Sequence, residues 1–321
     1  MTADRATVDD AVLALLLEVA GTPKPGNVDR RRDLADLRFE AFLGGAVGAR
    51  EGLELAVDEA APVGDAFERA VAGMADRAGT NTQFGCLLLL VPLIRATVAG
   101  GDASPPGDLG PDAVDRATRD TDVADAVAFY RAFERVDVAV GDPPAGAADL
   151  DVRRGSDAAP ALRERGLTLR DVLALSADPD DPDRVPDRNA REWVEGFPRT
   201  FRAAEWIRSD EGPLTDRAAR AFLGLLAAEP DTLVAAARDS RTAREASARA
   251  AALLDGADGV GPDPAAGVDA IDADAVHGAD LDAAEGLATA FVDEGINPGT
   301  TADLTCAALY VALRRGAEVA P

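Results

Sequence analysis

Apolar residues recur at helical spacing along most of the chain. Val8, Val12, Leu15, Leu16 and Val19 share one face of a helix expected from about Val8 to Ala20, which Gly21 and Pro23 end. The same pattern predicts helices over about Leu34 to Ala60 and Asp65 to Ala78. A very apolar helix follows the turn Gly79 to Thr82 and runs to about Ala99, with Pro92 expected to kink it. Farther on, helices are expected at about Asp112 to Val136, Thr168 to Ser176, Asp187 to Ser209, Thr215 to Ala228, Asp231 to Ala237, Arg241 to Leu254, Asp280 to Asp293 and Thr301 to Arg315. Gly/Pro/Asp-rich stretches at Gly100 to Pro111, Gly141 to Pro160, Asp178 to Pro186 and Gly256 to Pro264 separate them. Period-two alternation with β-branched support persists nowhere, and no fixed-period repeat is present. The expected fold is all-α: one multi-helix domain over residues 1–321, of about ten to twelve packed helices.

Composition changes this picture little but limits the partners. Hydrophobic residues make up 47% and aromatics only 4%, so the core must be built from Ala, Leu and Val. A net charge of −25 without a basic stripe argues against nucleic acid or an anionic membrane as partner. The acidic residues alternate with apolar ones, as in a folded chain adapted to a salt-loaded cytoplasm, which suggests a halophile. The segment Met1 to Asp10 is acidic and lacks an apolar signal core, and the run Cys86 to Ile94 is too short to span a bilayer. A cytoplasmic location is therefore expected. Cys86 and Cys306 sit in apolar helices and read as small buried hydrophobes, and a single histidine, His277, excludes a His-rich metal site.

Rare residue types mark four loop-to-helix junctions. Lys24 is the sole lysine and Gln83 the sole glutamine. In Pro23-Lys-Pro-Gly-Asn-Val-Asp-Arg30, two prolines stiffen a loop that could present Lys24 and Arg30 to phosphate oxygens. Gly79-Thr-Asn-Thr-Gln-Phe-Gly85 opens a helix: Asn81 can cap it or serve a site, and Gly85 permits close approach. Glu229-Pro-Asp-Thr-Leu233 offers Asp231 as an N-cap. Gly295-Ile-Asn-Pro-Gly-Thr-Thr-Ala-Asp303 carries Asn297 and Gly299 in a tight turn, with a capping box expected between Thr300 and Asp303. Carboxylates without histidine or cysteine partners suit magnesium held jointly with substrate phosphates, which points to a nucleotide polyphosphate.

In this order, the junctions resemble the triphosphoribosyl-dephospho-CoA synthase family. Its Pro-Lys-Pro-Gly-x-Val-Asp-Arg motif is matched by Pro23 to Arg30, and its Asn-Thr-x-x-Gly motif by Asn81, Thr82 and Gly85. Glu192, Gly196 and Phe197 match a Glu-x-x-x-Gly-Phe segment, and Asp231 and Thr232 an Asp-Thr pair. Pro298, Gly299, Ala302, Asp303 and Leu304 match the closing Ser-Pro-Gly-x-x-Ala-Asp-Leu motif, with Asn297 in place of the serine. The resemblance implies an all-α, magnesium-dependent enzyme that converts ATP and 3′-dephospho-CoA into 2′-(5″-triphosphoribosyl)-3′-dephospho-CoA and adenine.

Two departures accompany it. The family's Asn-Thr-His-Lys-Gly is Asn81-Thr-Gln-Phe-Gly85 here, and its Gly-Ala-His-x-Asp-Met segment is Arg31 to Asp36. These changes suggest a divergent, archaeal branch and leave open a related acceptor in place of dephospho-CoA. The implied roles are phosphate and substrate binding by Lys24, Arg30, Asn81, Thr82, Gly85, Asn297 and Gly299, Mg²⁺ binding by Asp29, Asp36 and Asp303, and acid–base work by Asp231 and Asp36. A non-catalytic nucleotide-binding regulator on the same fold is the alternative.

Overall fold

The computed structural model describes residues 3–99, 109–143, 146–178, 181, 183–254 and 267–319. The chain begins with α1 (Ala3–Ala20), α2 (Phe39–Gly48), α3 (Arg50–Val57), α4 (Val63–Ala78) and α5 (Phe84–Ala99). Its middle carries α6 (Pro111–Arg119), α7 (Val123–Ala132), α8 (Ala159–Arg165) and α9 (Leu169–Ala177). Then come α10 (Arg188–Glu195), α11 (Pro198–Ser209), α12 (Leu214–Ala228), α13 (Thr232–Ala237) and α14 (Ser240–Ala251), and the chain closes with α15 (Ala273–His277), α16 (Leu281–Glu294) and α17 (Gly299–Arg314). The described residues form no strand; Asp29 and Arg32 make one isolated bridge. No described helix is long and apolar enough to cross a membrane. The expected break at Gly256 to Pro264 lies outside the described residues, as does most of the expected loop Gly100 to Pro111.

The all-α expectation holds, but the helix count exceeds ten to twelve. Three expected helices are each split in two, and α8 and α15 were not expected. Local chemistry explains two of the splits. Asp122 caps α7, accepting from the backbone N–H groups of Ala124 and Asp125, while Asp125 accepts from Asp122 N–H at 2.8 Å. Such a reciprocal box starts a new helix rather than continuing an old one. Between α10 and α11, Gly196 and Phe197 both adopt left-handed backbone, with φ of 83° and 64°. A bulky residue accepts that conformation only where its surroundings enforce it. Here Phe197 is fully buried, and the Glu192 carboxylate accepts from the N–H groups of Arg199 and Thr200 at 3.2 and 2.9 Å. The Glu-x-x-x-Gly-Phe segment is thus a helix-reversal device.

α17 is buried along almost its whole length and packs against α1, α5, α11 and α12. Its neighbour α5 is likewise apolar all round, as a helix inside a core must be. Pro92 lies inside α5.

Asp231 acts as a fastener between two helices. It caps α13 by accepting from Val234 N–H at 3.1 Å, and its other oxygen accepts from the N–H and hydroxyl of Thr301 at 2.7 Å each. Thr301 in turn accepts from the buried Arg188 guanidinium at 2.9 Å. Asp231 is fully buried, and its bonds cap α13 and tie that helix to α17. Asp231→Ala is therefore expected to cost at least about 1–2 kcal/mol through the lost cap alone, read by denaturant unfolding, with activity falling only as the folded fraction falls.

Candidate active site

A cavity of about 790 Å³ lies where the N-terminal loop and the first turns of α5, α10 and α17 approach one another. Backbone chemistry brings the two ends of the chain together there. Gly26 has φ of 72°, and a Cβ on it would stand 1.9 Å from the carbonyl oxygen of Ile296, so only glycine fits. Beside it, the Asn27 amide donates to Asn297 Oδ1 at 3.0 Å.

Six of the expected site residues line this cavity: Asn81, Thr82, Gly85, Asn297, Gly299 and Asp303. Asn81 does two things, since it also caps α5 by accepting from Phe84 N–H at 3.2 Å. The expected capping box at Thr300 and Asp303 is absent. α17 already begins at Gly299, and the Thr300 hydroxyl accepts from Leu233 N–H at 3.3 Å instead. Asp303, one turn into the helix, is left to face the cavity.

The surroundings of Asp303 are specific. Oδ2 accepts from the Asn189 amide at 2.9 Å, and Oδ1 from the Cys86 thiol at 3.3 Å. Gly85 makes the room: a Cβ there would sit 1.9 Å from Asp303 Oδ2. Burial pushes the Asp303 carboxyl up to about 7; the bonds from Asn189 and Cys86 oppose the shift, and the charges of Glu18 and Asp231 add to it. Two further polar atoms on lining residues, Thr82 Oγ1 and Asn189 Oδ1, are buried without a hydrogen-bond partner. Unsatisfied buried groups at a cavity wall suit a ligand that would satisfy them.

The other expected residues do not assemble as the sequence suggested. Lys24 is not on a free loop: its side chain is 1% exposed and its ammonium is paired with the equally buried Glu18. Asp29 is fully buried, accepting from the Thr22 hydroxyl at 2.9 Å, the N–H groups of Lys24 and Arg31 at 3.2 and 2.8 Å, and Arg32 at 2.8 Å. These bonds organise the loop, and Asp29 does not line the cavity. Arg30 and Asp36 are exposed and do not line the cavity. Among the described residues no group of three or more acidic, histidine or cysteine side chains is placed to hold a metal ion, so Asp29, Asp36 and Asp303 form no metal cage among themselves.

Glu18, which the sequence reading missed, lines the cavity from the end of α1. Its signal was present: a carboxylate in an apolar stretch, six residues before the sole lysine. Gln83 turns inward to donate to the Leu15 carbonyl at 3.1 Å. Phe84 is both core and wall: it lines the cavity while its ring meets Phe67 and Phe133 at 5.1 and 4.8 Å between centroids. Among the described lining residues the one basic side chain is Arg184, against carboxylates that include Glu18, Asp187 and Asp303.

The family described as ATP:dephospho-CoA triphosphoribosyl transferase matches residues 5–320. A crystal structure described as that of a triphosphoribosyl-dephospho-CoA synthase from Archaeoglobus fulgidus shares the fold, with a TM-score of 0.60 and 22% identity over 85% of this chain and 99% of the other. No curated protein matches. With the match spanning nearly the whole chain, the chain belongs to the ATP:dephospho-CoA triphosphoribosyl transferase family.

Proposed function

We propose that this cavity transfers the triphosphoribosyl group of ATP to the 2′-hydroxyl of 3′-dephospho-CoA with release of adenine. The family's reaction supplies the chemistry, and the observation that carries the reading is the convergence of the second and fourth junctions on a cavity lined by several carboxylates, Asp303 among them. In the step itself, the acceptor oxygen bonds to C1′ of the ATP ribose while the bond from C1′ to the adenine nitrogen breaks. The departing base must take up a proton as it accepts that electron pair. Asp303 is suited to donate it. A carboxyl whose burial keeps it partly protonated near neutral pH can serve as general acid where an ordinary aspartate could not.

Magnesium belongs in this reading as the ion that travels with the triphosphate. Magnesium bound this way needs only one or two carboxylates and takes its other ligands from phosphates and water. One arginine among several carboxylates would repel a bare triphosphate, so charge balance favours a metal-loaded nucleotide. Phe84, Phe133 and Leu150 offer an apolar wall to the pantetheine arm of the acceptor. A non-catalytic regulator has no need of a protonated carboxyl beside unsatisfied polar atoms.

The test is direct. Protein in high salt with magnesium, ATP and dephospho-CoA should yield the triphosphoribosyl adduct by mass spectrometry with one adenine released per adduct, and chelation should stop both. ATP binding without adenine release would favour the regulator, and release without adduct would favour another acceptor. Gly85→Ala should lower turnover on the order of 100-fold by displacing the Asp303 carboxylate, with ATP affinity nearly unchanged. Wild-type turnover in that variant would remove Asp303 from the reaction.

A further inference from the structure

We infer that Glu18 is a catalytic residue of this transfer, the base that takes the proton of the attacking acceptor hydroxyl, and that Lys24 is the positioning residue that holds its carboxylate in place. The assignment rests on the proposed transfer and adds to it the group on the acceptor side.

The geometry is unusual enough to call for a function. Both partners of the pair are 1% exposed, and withdrawing two charges from water is expensive even when they meet. A hydrophobic pair would stabilise α1 as well or better, so stability alone does not account for it. The pair is also held deliberately. The backbone N–H of Lys24 donates to Asp29 at 3.2 Å, its ammonium lies 3.5 Å from Asn27 Oδ1, and Asn27 itself is tied to Asn297. The sole lysine of an arginine-rich chain thus sits behind a cavity carboxylate instead of in the cavity. A compact ammonium fits behind one oxygen where a planar guanidinium would not.

The pairing uses one oxygen. Lys24 contacts Oε1, and no hydrogen bond from the described residues reaches Oε2. The residue lines the cavity, and Oε2 is the oxygen that Lys24 leaves unengaged. The contrast with Asp303 is chemical. Asp303 receives a neutral amide and a thiol, whereas Glu18 receives a cation. Burial pushes the Glu18 carboxyl up on balance, with the Lys24 ammonium opposing the rise, whereas at Asp303 no cation offsets burial. Two carboxylates in such unlike settings divide acid and base roles. The proton of the acceptor hydroxyl passes to Glu18 Oε2 as the new C1′–O bond forms, while Asp303 protonates adenine. Exchange with solvent afterwards restores both groups, and no oxidant or further reactant is required.

The experiment compares wild type, Glu18→Gln and the doubly neutral Glu18→Gln/Lys24→Met, each checked for its cooperative unfolding transition. ATP affinity is measured by calorimetry, and kcat for adduct and for adenine is followed with dephospho-CoA, without and with added azide. Azide is an anionic nucleophile that has no proton to lose. Both variants are expected to fold, to bind ATP within about 3-fold of wild type, and to lose on the order of 100-fold or more in kcat with dephospho-CoA, while azide restores adenine release and yields the triphosphoribosyl azide. A folded variant that keeps kcat within about 3-fold of wild type, or one whose loss azide does not repair, overturns the assignment; the thresholds follow the usual size of a lost general base. If Glu18→Gln alone fails to fold, the double variant decides by the same criteria. A wild-type control that forms no adduct overturns the transfer reaction itself, and this assignment with it.

Discussion

Lys24→Ala is expected to lose about 3–5 kcal/mol of stability, the usual cost of removing one partner from a buried ion pair. This differs from the expectation for a loop lysine on a phosphate, whose removal would spare the fold. The Lys24 side chain is among the largest fully buried ones, and its truncation strands the Glu18 carboxylate in the protein interior. The deficit should depend on pH with a definite sign. Stranded Glu18 has a folded pKa raised above its unfolded value near 4.3. A raised carboxyl contributes stability that is present below the unfolded pKa and lost as pH rises through the folded one. The variant should therefore fall furthest below wild type at pH 8 and recover part of the gap near pH 4, where Glu18 is protonated in both states. Denaturant unfolding at the two pH values measures this. A gap under about 1 kcal/mol at pH 8, the range of an exposed pair, would show that the lysine is not the buried partner described here.

Asp303→Asn is expected to release adenine 100-fold to 10,000-fold more slowly, the usual contribution of a general acid. The pH profile separates this role from a structural one. With Asp303 near 7, the proton donor is lost as pH rises through that value, so wild-type kcat should decline above it, approaching about 10-fold per pH unit. The variant should be slow throughout and lack that limb. Stability should move the other way. Wild type loses the contribution of its protonated Asp303 as pH rises from the unfolded value near 4 towards 7, and the amide does not titrate. Asp303→Asn should thus be more stable than wild type by about 1–3 kcal/mol at pH 8 and no more stable near pH 4. Such an exchange of stability for activity is common where a site is held in an unfavourable ionisation state. A variant that is both slow and unstable at pH 8 would mark Asp303 as a packing residue.

Much of the chain could be read from residue pattern alone, because the forces involved are local. Apolar periodicity located α1, α4, α5, α12, α14, α16 and α17 to within a few residues, since each buries one face or all faces at the helical repeat. Asp231 before α13 was legible as a cap for the same reason: cap chemistry acts over three residues. The junctions at Asn81 to Gly85 and Asn297 to Asp303 stood out through rare residues and turn chemistry, and they do line the cavity. Helix breaks such as Gly196-Phe197 were less legible. Left-handed backbone at phenylalanine is imposed by the Glu192 carboxylate and by burial rather than by the residue's own preference.

Only the tertiary structure decided which charged residues face a ligand. A carboxylate or ammonium looks alike in sequence whether it is spent on the fold or left free. Asp29 and Asp231 accept bonds from within the chain, Lys24 pairs with Glu18, and Arg30 and Asp36 are exposed to solvent. Glu18 and Asp303, 285 positions apart by their numbers, reach one cavity because α1 packs against α17. Even the capping box at Thr300 failed for a tertiary reason: Leu233 claims the threonine hydroxyl from α13, and Asn189 and Cys86 claim the aspartate. Local rules choose the helices, whereas the burial and partners that set the protonation of a site are properties of residues distant in the chain.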